Sequence, residues 1–316
     1  MWLVFTLISM LLCAIGGLVS KKAIQEDVIA GPFMVYFASS IFSFLSSIVM
    51  WILGVGESGA SPVSILISNP LIILSTASTF LATFLVFVAY EYVGISVESA
   101  VSNVSSVLLF LGLVGINVFT AKLESVKEIL VPGRLIPIIV IIVLVFVLSK
   151  TDEVNLSEEL KRKSKHKFML TGILILLASC VFDALDSLIV SFCIGDGQVG
   201  AMDYCIATSF MDMVFGVTCL IIAIFRIKKA KISYKNNKKN VLVLVAIGLI
   251  GVGIMLTYFI GSAYDAVKLA LLYIVYPIIP LVGARIFLKE RYTAKQYICI
   301  IGIAIASIVF CIMDYI

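Results

Sequence analysis

The chain has 316 residues, 62% of them hydrophobic and 13% charged, with a formal net charge of +4. A soluble domain carries about a quarter charged and about half apolar residues, so this composition and a mean hydropathy of +1.18 exclude an ordinary water-soluble fold and point to an integral membrane protein. The net charge alone discriminates little; its distribution along the chain matters more.

A membrane-crossing helix needs about 20 apolar residues for a hydrocarbon core of about 30 Å. Ten segments meet that length: 2–20, 31–53, 70–92, 96–119, 130–149, 168–194, 199–225, 241–261, 264–288 and 294–313. Backbone polar groups in lipid must be satisfied within the segment, so each reads as a helix, and the short alternating segments of a β-barrel are absent. Met1-Trp2-Leu3 has no basic lead and Lys21-Lys22 follow the first apolar run, so that run reads as a retained span. The loop 54–69 has no basic residue, and its lone Gly54-x-Gly56 reads as a turn. A short turn around Gly94 makes helices 3 and 4 antiparallel neighbours, and a second turn is predicted near Gly261-Ser262 between helices 8 and 9.

The middle of the chain, 150–167, is a mixed acidic and basic linker in which Asn155 and Glu158 have the spacing of a helix cap pair. It separates 1–149 from 168–316, two predicted domains of five helices each. Displaced by 168 positions, Tyr90 falls on Tyr258, Val107 on Val275, Leu113-Val114-Gly115 on Leu281-Val282-Gly283, Phe119 on Phe287 and Lys127 on Lys295. Such colinear matches predict an internal repeat. An odd number of helices per repeat inserts the halves in opposite orientations, an inverted repeat. Lys and Arg follow the same frame: 19 of the 23 lie in loops after odd-numbered helices and 4 after even-numbered ones. The positive-inside rule then puts the odd loops in the cytoplasm and both termini outside.

Helix 9 carries Pro277 and Pro280, and the hinge Lys289-Glu290-Arg291-Tyr292-Thr293 leads into a Gly/Ala-rich last helix. With the short-hinged helix pairs 3–4 and 8–9, this resembles the EamA-type transporters of the drug/metabolite transporter superfamily, whose usual hinge is close to G-E-R-[LIV]-T; Lys289 stands here for the glycine. The first half departs further, with Lys122-Leu123-Glu124-Ser125 as its hinge and no proline in helix 4. The resemblance covers nearly the whole chain. It implies a ten-helix, multi-pass carrier of small organic solutes in the plasma membrane, with a cavity lined mainly by helices 1, 3, 4, 6, 8 and 9. Family members usually keep both termini in the cytoplasm, and the charge count reverses that expectation here.

Ionisable groups within spans cost about 2.5–3.5 kcal/mol each on insertion scales, so each one is a candidate functional group. Asp183 and Asp186, three apart in helix 6, share a face and suit a cationic or amine-bearing solute or a proton; the alternative is a helix–helix contact. Asp212 in helix 7 reads as a structural polar contact. Glu91, Glu98, Asp265 and Lys268 lie near hinges, where solvation at the interface accounts for them, and Tyr90 and Tyr258 read as interfacial anchors. Pro277 and Pro280 cannot donate to the carbonyls of Tyr273 and Tyr276, which leaves these carbonyls and two rings on one face for a cation, or else a packing kink. Ser102, Asn103, Ser105 and Ser106 make helix 4 polar, as cavity lining or as glue between helices.

The seven cysteines form no C-x-x-C and read as reduced packing residues. One histidine, His166 in the linker, leaves no metalloprotease or Ser-His pattern, so an enzyme, a metal and a cofactor are not expected. No nucleotide-binding loop occurs, so the solute's own gradient, protons or another coupling ion would drive transport. The basic loops face anionic lipid headgroups, and nucleic acid is not called for as a partner. A non-transporting membrane receptor or scaffold is the competing reading; solute flux separates the two.

Overall fold

The computed structural model describes residues 2–25, 31–119, 132–149, 165–195, 197–230, 238–272, 276, 278–288 and 293–315. The described residues form eleven α-helices and no strand: α1 (Trp2–Gln25), α2 (Pro32–Ile52), α3 (Pro62–Ser68), α4 (Leu71–Ala89), α5 (Ile95–Phe119), α6 (Pro132–Ser149), α7 (Lys165–Gly195), α8 (Ala201–Ala230), α9 (Lys238–Leu272), α10 (Ile278–Phe287) and α11 (Ala294–Tyr315). Six of them contain stretches long and apolar enough to cross a membrane: Leu3–Ile24, Pro32–Ile52, Leu71–Ala89, Leu170–Ile194, Ala201–Phe225 and Val241–Tyr264. These helices are apolar around much of their circumference and expose large side chains such as Leu11, Leu74, Leu174 and Leu249. Apolar residues outside as well as inside are what lipid in place of water selects. The chain is an all-α protein with the helices of a multi-pass membrane protein.

The helices pack into one bundle. α2 lies along α8, α1 along α9, α4 along α7, and α6 along α11; α7 also contacts α5, and α9 contacts α2. Small side chains permit the close contacts. A Cβ at Gly216 of α8 would lie 2.7 Å from Ser40 Cβ of α2, so only glycine allows this approach. Hydroxyls tie the helices through backbone carbonyls: Ser179 of α7 donates to Ala82 of α4 at 2.9 Å, and Ser9 of α1 donates to Ile254 of α9 at 3.3 Å. One apolar core joins α4, α5, α6, α7 and α11 around Val101, Ile141, Leu176 and Ile303. A second gathers the ends of α2, α4 and α7 with α3 and the start of α8 around Ile72, Cys193 and Tyr204.

Several predicted boundaries move. The turn around Gly94 stands, since α4 ends at Ala89 and α5 begins at Ile95. The turn predicted near Gly261-Ser262 is absent: α9 continues through it to Leu272, and the Ser262 hydroxyl folds back onto its own helix, donating to Phe259 O at 2.9 Å. A glycine and a self-satisfied serine do not stop a helix among apolar neighbours. The predicted span 264–288 is therefore divided between the end of α9 and the short α10. Loop 54–69 contains α3, capped by Ser61, whose Oγ accepts from Ser64 N at 3.2 Å, with Pro62 in its first turn. The same loop docks on α8: Glu57 accepts from the backbone N–H groups of Met202 and Asp203 at 3.1 and 3.0 Å, and Asp203 accepts from Ser58 N at 2.9 Å.

Of the hinge 289–293 only Thr293 lies among the described residues. It caps α11 reciprocally with Gln296: Thr293 N donates to Gln296 Oε1 at 2.8 Å and Gln296 N to Thr293 Oγ1 at 3.3 Å. The cap pair in the linker and the first-half hinge 122–125 lie outside the described residues. No disulfide occurs among the described residues, and Cys180, Cys193, Cys205, Cys219 and Cys299 are buried.

Candidate functional site

A cavity of about 490 Å³ lies at the centre of the bundle, walled by α1, α2, α4, α5, α7, α8 and α9 and by Tyr276. Its volume falls in the range of small-molecule sites, about 300–1,000 Å³. The wall combines apolar and aromatic side chains with hydroxyls, and four carboxylates border it: Glu98, Asp183, Asp186 and Asp212. No Lys, Arg or His is among the described lining residues.

The polar wall follows from helical spacing. On α4, Ser75, Thr76, Thr79 and Thr83 recur at intervals of one, three and four, so they form one stripe facing the cavity. Several satisfy themselves along the helix: Thr76 Oγ1 donates to Ile72 O at 2.8 Å and Thr79 Oγ1 to Ser75 O at 3.1 Å. Ser75 is exceptional because it reaches across. Its hydroxyl donates to Asp186 Oδ1 of α7 and accepts from the Tyr204 hydroxyl of α8. Three helices thus meet in one chain of hydrogen bonds, Tyr204 to Ser75 to Asp186. Thr79 lies within hydrogen-bonding reach of the same carboxylate.

The predicted pair on α7 is brought to one place. Asp183 and Asp186 both line the cavity; Asp183 is exposed to it, with Ser105 of α5 within hydrogen-bonding reach, while Asp186 is half-buried. Asp212 does act between helices, accepting from the Tyr36 hydroxyl of α2 at 2.8 Å, and it also borders the cavity. The aromatic side chains Tyr36, Phe80, Phe84 and Phe215 pack behind it, with Phe80 and Phe215 stacked at 4.7 Å.

Three expectations change. Glu98 is not solvated at an interface; it is 5% exposed, lines the cavity, and accepts from Ser102 at 2.9 Å and from Ser99 at 3.3 Å. Tyr90 is 4% exposed and Tyr258 half-buried, and both line the cavity instead of anchoring the rim. Gly17 of α1 makes room for this: a Cβ there would lie 3.2 Å from the Tyr90 hydroxyl and 4.0 Å from that of Tyr276. Third, the Tyr276 carbonyl is not left open by Pro280, because it accepts from Ile279 N at 3.0 Å. A tight turn at the start of α10 takes up the acceptor that a continuous helix would have lost. Pro280 is buried in α10. Tyr273, Pro277 and the side chains of Asn103, Ser106, Asp265 and Lys268 lie outside the described residues. Ser102 borders the cavity, and Glu91 is exposed.

Sequence reasoning passed over Ser75 and Tyr204. The signal for Ser75 was available as a hydroxyl stripe in an otherwise apolar helix. Tyr204 carried none, because one tyrosine near a helix start is ordinary. Helices 2 and 7 of the sequence contribute to the wall as well as the six the resemblance implied. No group of three or more His, Cys, Asp or Glu side chains is placed to hold a metal ion among the described residues.

No family model matches the chain, and no curated protein matches it. Twenty-three solved chains do match in structure. One, titled only "Crystal structure of protein", superposes with a TM-score of 0.60 over 98% of this chain and 96% of its own, at 16% sequence identity. At that identity the likeness shows a shared fold over nearly the full length of both chains.

Proposed function

We propose that this chain is a secondary carrier of small cationic or amine-bearing solutes, working by alternating access between two five-helix repeats of opposite orientation. The observation that carries the reading is the central cavity, bordered by four carboxylates and by no basic side chain among the described residues. Carboxylates within apolar helices that face one cavity are costly unless a cation or proton occupies it. The aromatic side chains of Tyr90, Tyr258 and Tyr276 in the same lining favour an ammonium ion over a compact hydrated metal ion.

The repeat reading draws support from helix pairing. When α1, α2, α4, α5 and α6 exchange places with α7, α8, α9, α10 and α11, the pair α1–α9 becomes α7–α4, α2–α9 becomes α8–α4, and α1–α10 becomes α7–α5. All are pairs that pack together. The pairs α2–α8, α5–α10 and α6–α11 map onto themselves. Such exchange is the signature of a pseudo-two-fold axis. On this reading ten helices span the plasma membrane, the Lys and Arg bias sets both termini outside, and the likeness to EamA-type drug/metabolite transporters extends to function. No catalytic constellation is assigned.

The purified protein is to be melted in the presence of monoammonium ions, amino acids, nucleosides and anionic metabolites, alongside Asp183→Asn/Asp186→Asn. Stabilisation by an ammonium ion in the wild type and not in the double variant supports the proposal. Stabilisation by anions in both contradicts it.

A further inference from the structure

The cavity carboxylates are spread along the bundle axis, not gathered at one point. Ser179 of α7 meets Ala82 of α4 and Asp186 meets Ser75, so these two helices run antiparallel. The short turn 90–94 makes α5 antiparallel to α4, and α5 therefore runs parallel to α7. Their register is set where Cys180 Sγ donates to Val101 O at 3.4 Å, and it is repeated one turn on, where Ser105 approaches Asp183. Glu98 is then level with residue 177 of α7, six residues before Asp183, a separation of about 9 Å at a rise of about 1.5 Å per residue. Asp186 is about 4.5 Å further on.

The wall between these two levels holds Ser102 and Ser105 of α5 on one side, Ser179 and Cys180 of α7 on the other, and Ala82 and Thr83 of α4 beside them. The hydroxyls bonded to Glu98 spread its charge without cancelling it. The one buried cation described at this end is Lys21, which is 2% exposed and acts electrostatically on Glu98. Its Nζ donates to Val93 O at 3.2 Å, on the turn before α5, and it is not part of the described lining. One compact monocation held at Asp183 would not reach Glu98, about 9 Å away along the axis.

We propose, on the basis of the cation-carrier reading, that Glu98 is a second charge station and that the cavity selects elongated diammonium ions. One ammonium sits at Asp183 and Asp186, the other at Glu98, and the alkyl spacer lies along the wall between them. Glu98 thereby determines specificity, favouring two charges at a set distance over one.

Calorimetry on the full chain with n-hexylammonium and 1,6-hexanediammonium tests this. The wild type binds the diammonium ion about tenfold or more tightly than the monoammonium ion, the scale of a desolvated charge pair. Glu98→Gln abolishes that preference, bringing the diammonium affinity down to that of the monoammonium ion. Equal affinities in the wild type, or a preference that survives Glu98→Gln, would overturn the proposal while leaving a cation site at Asp183 intact; the first would mean that Lys21 already compensates Glu98, the second that another carboxylate takes the second ammonium. Binding of neither ion would overturn this proposal together with the cation-carrier reading. If Glu98→Gln fails to fold, Glu98→Asp decides. Its shorter side chain moves the best-bound spacer to a longer diammonium ion, and an unmoved optimum contradicts the proposal.

Discussion

Two walls of the same cavity use their carboxylates differently. On the α2–α8 wall, Asp212 is held by the Tyr36 hydroxyl at 2.8 Å, with an aromatic stack behind it. On the α7 wall, Asp183 is exposed to the cavity and Asp186 is tied through Ser75 to Tyr204. A carboxylate that already receives a strong hydroxyl bond from a neighbouring helix has part of its acceptor capacity committed to holding the bundle together. Asp183, exposed to the cavity, keeps more of it for a ligand, while Asp186, bonded by Ser75, stands between the two cases. On the proposed reading, the difference separates a joint from a binding group, although both residues are aspartates in the middle of apolar helices.

The largest effect is expected at Asp183. Asp183→Asn should weaken ammonium binding by about 2–5 kcal/mol, the cost of removing one partner of a desolvated charge pair, with little change in melting temperature. A variant that melts early and binds normally would erase the distinction between the walls. Asp212→Asn and Tyr36→Phe should do the reverse. Each breaks the α2–α8 bond and destabilises the fold by about 1–3 kcal/mol in denaturant or thermal unfolding, with ammonium affinity nearly retained. Ser75→Ala sits between the two cases, because it removes a hydroxyl shared by a binding carboxylate and a structural tyrosine. It should lower stability by about 1–3 kcal/mol and also weaken binding, and additivity with Asp186→Asn would show that the two residues are not coupled. The smallest effect belongs to the docked loop. Glu57→Ala removes a side chain that receives two N–H groups at the start of α8 and should cost about 1 kcal/mol of stability without altering binding.

The all-α architecture was legible because lipid imposes long apolar helices, and Asp183 and Asp186 stood out because charge within such helices is costly. Spacing of three put them on one face, and the structure places both on the cavity. Tyr90 and Tyr258 were misread for a physical reason. A tyrosine at a helix end looks like an interfacial anchor, yet at Gly17 the missing side chain of another helix lets Tyr90 and Tyr276 turn inward. For Tyr90 that depends on a partner far away in sequence. Glu98 was hidden in the same way, since proximity to a hinge says nothing about which side of α5 faces the cavity. The turn assigned to Gly261-Ser262 failed because these residues break helices in water more readily than among apolar neighbours. Ser61-Pro62, by contrast, is a local cap signal that could have located α3.

The most direct test of the carrier account is flux. Proteoliposomes containing the full chain are loaded with buffer and given a radiolabelled ammonium solute outside, with empty liposomes and Asp183→Asn as controls. The account predicts saturable uptake that is lost in Asp183→Asn and reduced by competing diammonium ions. Uptake no faster than in empty liposomes, for a solute that binds the purified protein, would contradict it and favour a non-transporting membrane receptor.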